Sequence, residues 1–422
     1  MNNSVVITGL GMVTPLGCGS DTVWERLNAG KSGITGLTFH DASEGVISYP
    51  AGIVSDKTAD PTAGFEPADF FTEKSLQRTN RFIQFAVAAA EEAIQQAGWL
   101  QLTAEQKERT GVVIGSSQGG IQSLLDAASE LSLYGRKSTS PFTSPLSLLS
   151  IAAGAVSIRF GFMGPSFAPS TACAASLQGI GEALSILHNN DADVVIAGGS
   201  EATLNPVSFA GFQAAGALSR NISLPFRKRS RPFDRDRDGF ILSEGAAIMV
   251  LEKREHALNR GVVPLAEIGG YGTSSDSFHI TSGLRDGKGV AKAMRNALRS
   301  ASITPDAVGY LSAHATSTPI GDLCEYLAIR EVFGSTSHLS VSAIKSAFGH
   351  LQGAAGALAT AVTIQALRAG KLPATHNTRN FSDEMPGLDI IIGSQRVKSV
   401  DYAMVNAFGF GGINTSLVLK AC

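Results

Sequence analysis

Pro169-Ser170-Thr171-Ala172-Cys173-Ala174-Ala175-Ser176, continued to Asp193-Val194-Val195-Ile196-Ala197-Gly198, reads as one helix followed by one strand. Cys173, Leu177, Ile180, Leu184 and Leu187 recur at steps of three and four, which is one face of a helix over 173–188. The apolar run at 193–198, ended by glycine, reads as a buried strand. Runs of the same kind are Val5-Val6-Ile7-Thr8-Gly9, Gly111-Val112-Val113-Ile114-Gly115 and Ala247-Ile248-Met249-Val250-Leu251, with a helical pattern over 80–97. Strands alternating with helices argue for an α/β protein with largely buried sheets. After about residue 255 the alternation restarts. Strand-like 265–268, 308–313, 339–343, 402–407 and 415–420 are interleaved with helical 288–301, 320–333 and 353–369. Two halves of similar element order, 1–255 and 256–422, point to a duplicated fold. No Pro/Ser-rich linker divides them, so they should pack as one body.

The bulk properties narrow the function. With 44% hydrophobic and 17% charged residues, 422 residues can bury a large core. A formal net charge of −2 gives no global attraction to nucleic acid or to an anionic membrane. Cys18, Cys173, Cys324 and Cys422 are far apart, with no CxxC pair and no zinc-ligand spacing, so a reducing compartment is the simple expectation. Met1-Asn2-Asn3-Ser4 shows no signal-peptide pattern, and no apolar stretch suffices to span a bilayer, which suggests a cytoplasmic location. Residues 220–240 are charge-dense (Arg227-Lys228-Arg229, then Arg231 to Asp238) and read as a solvated loop laced with ion pairs, or as a docking face for an acidic partner.

Three further motifs accompany Cys173. A thiol in the first turn of a helix feels the positive end of the backbone dipole, which lowers its pKa. The plainer reading is a buried cysteine packing as a small hydrophobe. In Ala313-His314-Ala315-Thr316-Ser317-Thr318 an imidazole ends a strand and precedes a Thr/Ser loop. In Ile344-Lys345-Ser346-Ala347-Phe348-Gly349-His350 a Lys and a His share a short loop that opens a small-residue helix. Taken singly, each His reads more readily as a satisfied structural residue than as a catalytic one. Together with a helix-start Cys they form a candidate nucleophile set. Asn406-Ala407-Phe408-Gly409-Phe410-Gly411-Gly412 is a tight turn whose glycines let backbone N–H groups approach a ligand and stabilise an oxyanion.

These four motifs, in this order and spacing, resemble the β-ketoacyl-acyl-carrier-protein synthases of the thiolase superfamily, most nearly the elongating synthase II type. The likeness runs from Val5–Gly11 through Arg231-Pro232-Phe233-Asp234 and Arg237-Asp238-Gly239-Phe240 to Phe408–Gly412. It implies a duplicated thiolase-like α/β fold in five layers, α-β-α-β-α. It implies that Cys173 takes an acyl group from an acyl carrier protein. His314 and His350 would stabilise the enolate left when the malonyl unit loses CO2, and Lys345 would order the site electrostatically. The N–H groups of Cys173 and Phe410 would form the oxyanion hole, with Phe410 also a gate. Thr316 and Thr318 would bind the phosphopantetheine arm, and Phe408 would contact substrate. No metal or redox cofactor is implied. Lys74, Arg78, Arg220 and Arg227 match docking positions for the acidic carrier, with Lys228 and Arg229 as additions. The partner in a dimer would be a second copy, or a related subunit in some polyketide systems.

The sequence also departs from the resemblance. Gln118 stands where a small or apolar residue lines the acyl pocket, and a buried amide there needs hydrogen-bond partners. Ala359 stands in place of a Glu near the active-site Lys, and Ile344-Lys345-Ser346 is similar to polyketide ketosynthases. A ketosynthase of a type II polyketide or polyene pathway is therefore the alternative. Thiolase is disfavoured because Cys422 lacks the Cys-x-Gly setting of an acid/base cysteine, and a chain-length-factor subunit because Cys173 is present.

Overall fold

The computed structural model describes residues 4–41, 43, 45–334 and 338–422; Met1–Asn3, used above for the signal-peptide reading, lie outside them. The first half contributes β1 (Val5–Thr14), β2 (Thr110–Gly115), β3 (Ser166–Phe167), β4 (Val194–Glu201) and β5 (Gly245–Lys253). They lie in the order β3-β2-β4-β5-β1, with β5 antiparallel to both neighbours and β2 parallel to β3 and β4. The second half contributes β6 (Ala266–Ser275), β7 (Val308–Ser312), β8 (Ser340–Ser342), β9 (Tyr402–Gly409) and β10 (Ile413–Lys420). Their order is β8-β7-β9-β10-β6, again with the fifth strand antiparallel to its neighbours. The repeated order is the duplication that the restarted alternation implied. The two half-sheets join through a three-residue register, Val5↔Ile268, Val6↔Glu267 and Ile7↔Ala266.

Helices α1 (Arg81–Gln96), α2 (Ile121–Tyr134), α3 (Ile151–Phe160), α4 (Ala175–His188), α5 (Lys288–Ala301), α6 (Pro319–Phe333) and α7 (Ala355–Ala369) complete the layering. α1 and α3 cover the outer face of the first half-sheet, and α5 that of the second, with α6 against α5. α4 and α7 lie between the two half-sheets and touch strands of both. This is the five-layer thiolase-like α/β arrangement. The middle layer is dry: apart from Arg368 and Ala369, every residue of α7 is buried, and its surroundings are Leu177, Ile180, Ala247, Met249, Val405 and Leu417.

Small residues permit that layer. A Cβ on Gly356 of α7 would lie 2.8 Å from Leu177 Cβ on α4 and 3.3 Å from Ala407 Cβ on β9. The Ser176 hydroxyl accepts the Ala357 N–H at 2.9 Å, so α4 satisfies an orphan donor in the first turn of α7. The starts of the two helices are thereby fixed side by side.

The segment 220–240 departs from the solvated-loop reading. Asp234 and Arg237 are buried, and the Asp234 carboxylate accepts the N–H groups of Arg379 and Asn380 at 2.8 and 3.1 Å. Asp322, wholly buried, accepts from the N–H groups of Phe233 and Ser317 and faces Arg237 at 3.8 Å. Paired acids and arginines can be buried when hydrogen bonds complete their shells, which charge density alone does not reveal. Arg229 is also buried, stacked 4.7 Å over Phe226 with its Nε donating to the Leu224 carbonyl, so it offers no docking charge.

Replacing Gly356 with Val should force α4 and α7 apart. The expected cost is about 1–3 kcal/mol of stability, read as a lower urea midpoint at unchanged m-value.

Candidate active site

Cys173 sits in a single 3-10 turn, Ala172–Ala174, that leads into α4. Ala172 adopts φ +48°, a left-handed conformation that presents Cys173 at a sharp corner. The end of β9 pins this corner: a Cβ on Gly409 would meet the Thr171 carbonyl at 2.5 Å and the Cys173 nitrogen at 3.3 Å. Only glycine allows that approach, and it brings Phe408 and Phe410 beside the thiol.

His314 follows β7. The Glu325 carboxylate of α6 accepts the N–H groups of His314 and Ala315 at 2.9 and 2.7 Å and the Asn406 amide at 2.9 Å. His350 follows the short helix Lys345–Phe348, its N–H donating to the Ile241 carbonyl at 2.7 Å. The two imidazole rings meet edge to face, centroids 5.5 Å apart at 85°. Phe408 packs 5.3 Å from His314 and Phe240 5.2 Å from His350. Lys345 lies underneath, buried, its Nζ donating to the His314 carbonyl at 2.6 Å and 3.5 Å from His314 Nδ1.

Burial dominates the electrostatics. It drives both imidazoles well below the ordinary histidine range, and the Lys345 charge adds to this, so both rings are neutral at physiological pH. With an ammonium facing Nδ1, the single proton of neutral His314 belongs on Nε2. Lys345 is itself pulled down to about 8 by burial, opposed by Glu325, Cys173 and Asp322. The carboxylate answering Lys345 is thus Glu325, while Ala359 is buried in the α7 core. The thiol corrects the expectation from the helix dipole. Burial pushes Cys173 up to about 12; Lys345 lowers it and Glu201 raises it further. A desolvated sulfur favours the thiol more than the helix start favours the thiolate.

Cys173, His314, His350, Thr316, Thr318, Phe408 and Phe410 line one cavity of about 430 Å³. The Thr316 and Thr318 hydroxyls are 3.0 Å apart at its mouth, and Thr318 also caps α6 through the Gly321 N–H. Gln118 does not line it: its side chain is exposed on the single chain, and its N–H is held by Glu201 at 3.2 Å. The buried-amide expectation belongs instead to Gln352, whose motif was read without giving it a role. Gln352 is buried, and its Oε1 lies 3.7 Å from Cys173 Sγ. Glu325 was also missed, although Asp322 and Glu325 at i and i+3 in the otherwise apolar stretch 319–329 were a visible signal. Lys74, Arg78, Arg220 and Arg227 are exposed.

Comparison with known proteins agrees over the whole length. The model of the beta-ketoacyl synthase N-terminal domain matches residues 2–257, and that of the C-terminal domain matches 265–379. The chain is 42% identical to the mitochondrial 3-oxoacyl-[acyl-carrier-protein] synthase of Arabidopsis thaliana, over 99% of this chain and 93% of that one. It is 41% identical to 3-oxoacyl-[acyl-carrier-protein] synthase 2 of Coxiella burnetii, over 99% and 98%. Among solved structures it is similar to a beta-ketoacyl synthase from Burkholderia phymatum (TM-score 0.88, 32% identity, 99% of both chains covered). It is also similar to a type II polyketide ketosynthase solved with its acyl-carrier protein and bound to the hexaketide (TM-score 0.89, 28% identity, 100% of both chains covered).

Alkylation of Cys173 by iodoacetamide, followed on its own peptide by mass spectrometry, should rise about tenfold per pH unit from pH 6.5 to 8, as expected for a thiol titrating far above. Above about pH 8 the slope should flatten, because Lys345 loses the charge that favours the thiolate. Lys345→Met should slow the reaction below pH 8 and remove the bend.

Proposed function

The chain belongs to the β-ketoacyl synthase family, and from that membership we infer its reaction: it condenses malonyl-acyl carrier protein with an enzyme-bound acyl thioester, releasing CO2 and giving 3-oxoacyl-acyl carrier protein in fatty-acid chain elongation. The observation that carries the residue assignment is the meeting of Cys173, His314 and His350 on one buried cavity. In the first step Cys173 sulfur attacks the acyl thioester. An S–C bond forms, the carrier C–S bond breaks, and the thiol proton leaves with the pantetheine sulfur. The N–H groups of Cys173 and Phe410 stabilise the oxyanion of this step. In the second step the malonyl carboxylate departs as CO2 and its electron pair becomes an enolate. Neutral imidazoles, donating to an oxygen that turns negative, bind that state better than the ground state. The enolate carbon then attacks the acyl-Cys173 carbonyl: a C–C bond forms, the same N–H groups hold the oxyanion, and its collapse breaks the C–S bond to Cys173, whose thiolate takes a proton from solvent to restore the thiol. The thioester and carboxylate supply what this chemistry needs without metal or redox cofactor. Thr316 and Thr318 hold the pantetheine arm, and Phe410, a third exposed and 6.3 Å from Phe212, gates the thiol.

The same reading includes the division near residue 255, with the nucleophile from one half and both histidines from the other. It includes a cytoplasmic location; among the described residues no helix is long and apolar enough to cross a membrane. It includes a homodimer, supported by an uncovered apolar face: α2 buries none of its residues, Leu131, Leu133, Tyr134, Ile158 and Met163 are exposed, and the edge strand β3 is open beside them. A type II polyketide or polyene ketosynthase is the second reading, favoured by Ala359 and by the polar Gln352 beside the nucleophile.

With an acyl carrier-protein substrate, intact-mass spectrometry should show one acyl group on the protein and none on Cys173→Ala. His314→Ala should still acylate but release CO2 from malonyl-carrier protein about 10²–10³-fold more slowly. Arg220→Glu and Arg227→Glu should raise KM for carrier-borne substrate about tenfold at low salt, far more than for pantetheine thioesters, with the difference shrinking at high ionic strength.

A further inference from the structure

The amide of Gln352 is the polar group nearest the nucleophile that the reaction above leaves unused. It stands in a 3-10 turn, Gln352–Ala354, just ahead of α7. Its backbone is left-handed, φ +48°, a strained choice for a residue with a side chain. Neighbouring contacts fix that turn: the buried Glu201 carboxylate accepts the N–H groups of Gly353 at 3.0 Å and Ser117 at 2.7 Å. Gln352 itself is 3% exposed. Its Oε1 faces Cys173 Sγ at 3.7 Å, and its Nε2 is buried with no hydrogen-bond partner among the described residues. Both Gln352 and Cys173 line the cavity.

These facts set up a change on acylation. In the free protein the neutral thiol donates to Oε1. When Cys173 becomes a thioester its S–H proton leaves with the departing pantetheine sulfur, and the sulfur has nothing left to donate. The Gln352 amide then has an acceptor and two N–H donors in a buried place with no protein group to meet them. A hydrocarbon chain leaves them unmet, whereas a chain bearing oxygen near the thioester does not. The acyl carbonyl oxygen is committed to the backbone N–H groups. The next oxygen along the chain that can meet the amide is one on the β carbon, two carbons beyond the thioester carbonyl carbon.

We propose that Gln352 is a specificity-determining residue that selects acyl groups carrying a hydroxyl or keto oxygen on the β carbon over saturated ones. The proposal rests on the acyl-Cys173 reading above and names the substrate class of that same site, a class that belongs with the second, polyketide reading rather than with the elongation of saturated chains. A site built to hydrogen-bond a substrate oxygen discriminates against the analogue lacking it far more strongly than an apolar pocket discriminates by size.

The test uses pantetheine thioesters of 3-hydroxyoctanoate and octanoate, with acylation of Cys173 followed by intact-mass spectrometry. The wild-type protein should load the hydroxylated chain faster, and Gln352→Leu should reduce the ratio of the two rates by about tenfold or more. Gln352→Met, nearly isosteric, should behave like Gln352→Leu and serves if the branched side chain disturbs folding. Gln352→Glu keeps an acceptor and should retain part of the preference for the hydroxylated chain. A merely structural role would slow both chains alike and leave the ratio unmoved; an unchanged ratio in the Leu and Met variants overturns the proposal. If iodoacetamide reaches Cys173 but neither thioester acylates it, the acyl-enzyme reading itself falls, and this inference with it.

Discussion

The close approach of α4 and α7 is the constraint on which the rest depends. Gly356 against Leu177, and the Ser176 hydroxyl on the Ala357 N–H, set two helix starts side by side between two half-sheets. One start carries Cys173 and the other follows directly on His350 and Gln352. A residue with a Cβ at 356 would separate them. The site therefore arises from a packing requirement of the middle layer, and the chemistry is placed where that layer ends. The same geometry buries Cys173, His350 and Gln352, because they stand at the starts of helices that are covered on both sides by strands.

Burial sets the charge states. Lys345, Glu325, Glu201, Asp322 and both imidazoles are buried, and each is displaced toward its neutral form by loss of water. Hydrogen bonds from backbone N–H groups to Glu325 and Glu201 oppose that displacement without cancelling it. The outcome suits a reaction in which charge appears and disappears: neutral imidazoles donate to a forming enolate, and a resting thiol stays protonated until an acyl donor arrives.

Much of this was legible in the chain. Strands such as 193–198 and helices such as 288–301 carry clean periodicities, and the repeat of element order foretold the duplicated sheet. Cys173, His314, Lys345 and His350 stood out because nucleophile and imidazoles sit in small-residue or glycine-flanked turns. What escaped notice depends on how the fold places neighbours, near or distant in sequence, around a side chain. Gln118 is exposed because its loop turns its backbone, not its side chain, toward Glu201. Arg229 is buried because Phe226 and the Leu224 carbonyl provide for it. The thiol sits high because burial exceeds the benefit of a helix start, a balance of magnitudes that no motif expresses. Helix α2 carries Ile121, Leu124, Leu125, Ala128 and Leu131 on one helical face, yet that stripe covers no interior of this chain.

The girdle formed by Asp234, Arg237 and Asp322 bears on how the chain is made. Residues 231–239 are held by groups on 317–322 and 379–382. During synthesis they leave the ribosome well before those partners do. Until α7 and residues 379–382 have emerged, the inner face of α4 lacks its cover. A nascent chain stalled before residue 380 would therefore expose the apolar face of α4, the kind of surface a chaperone binds.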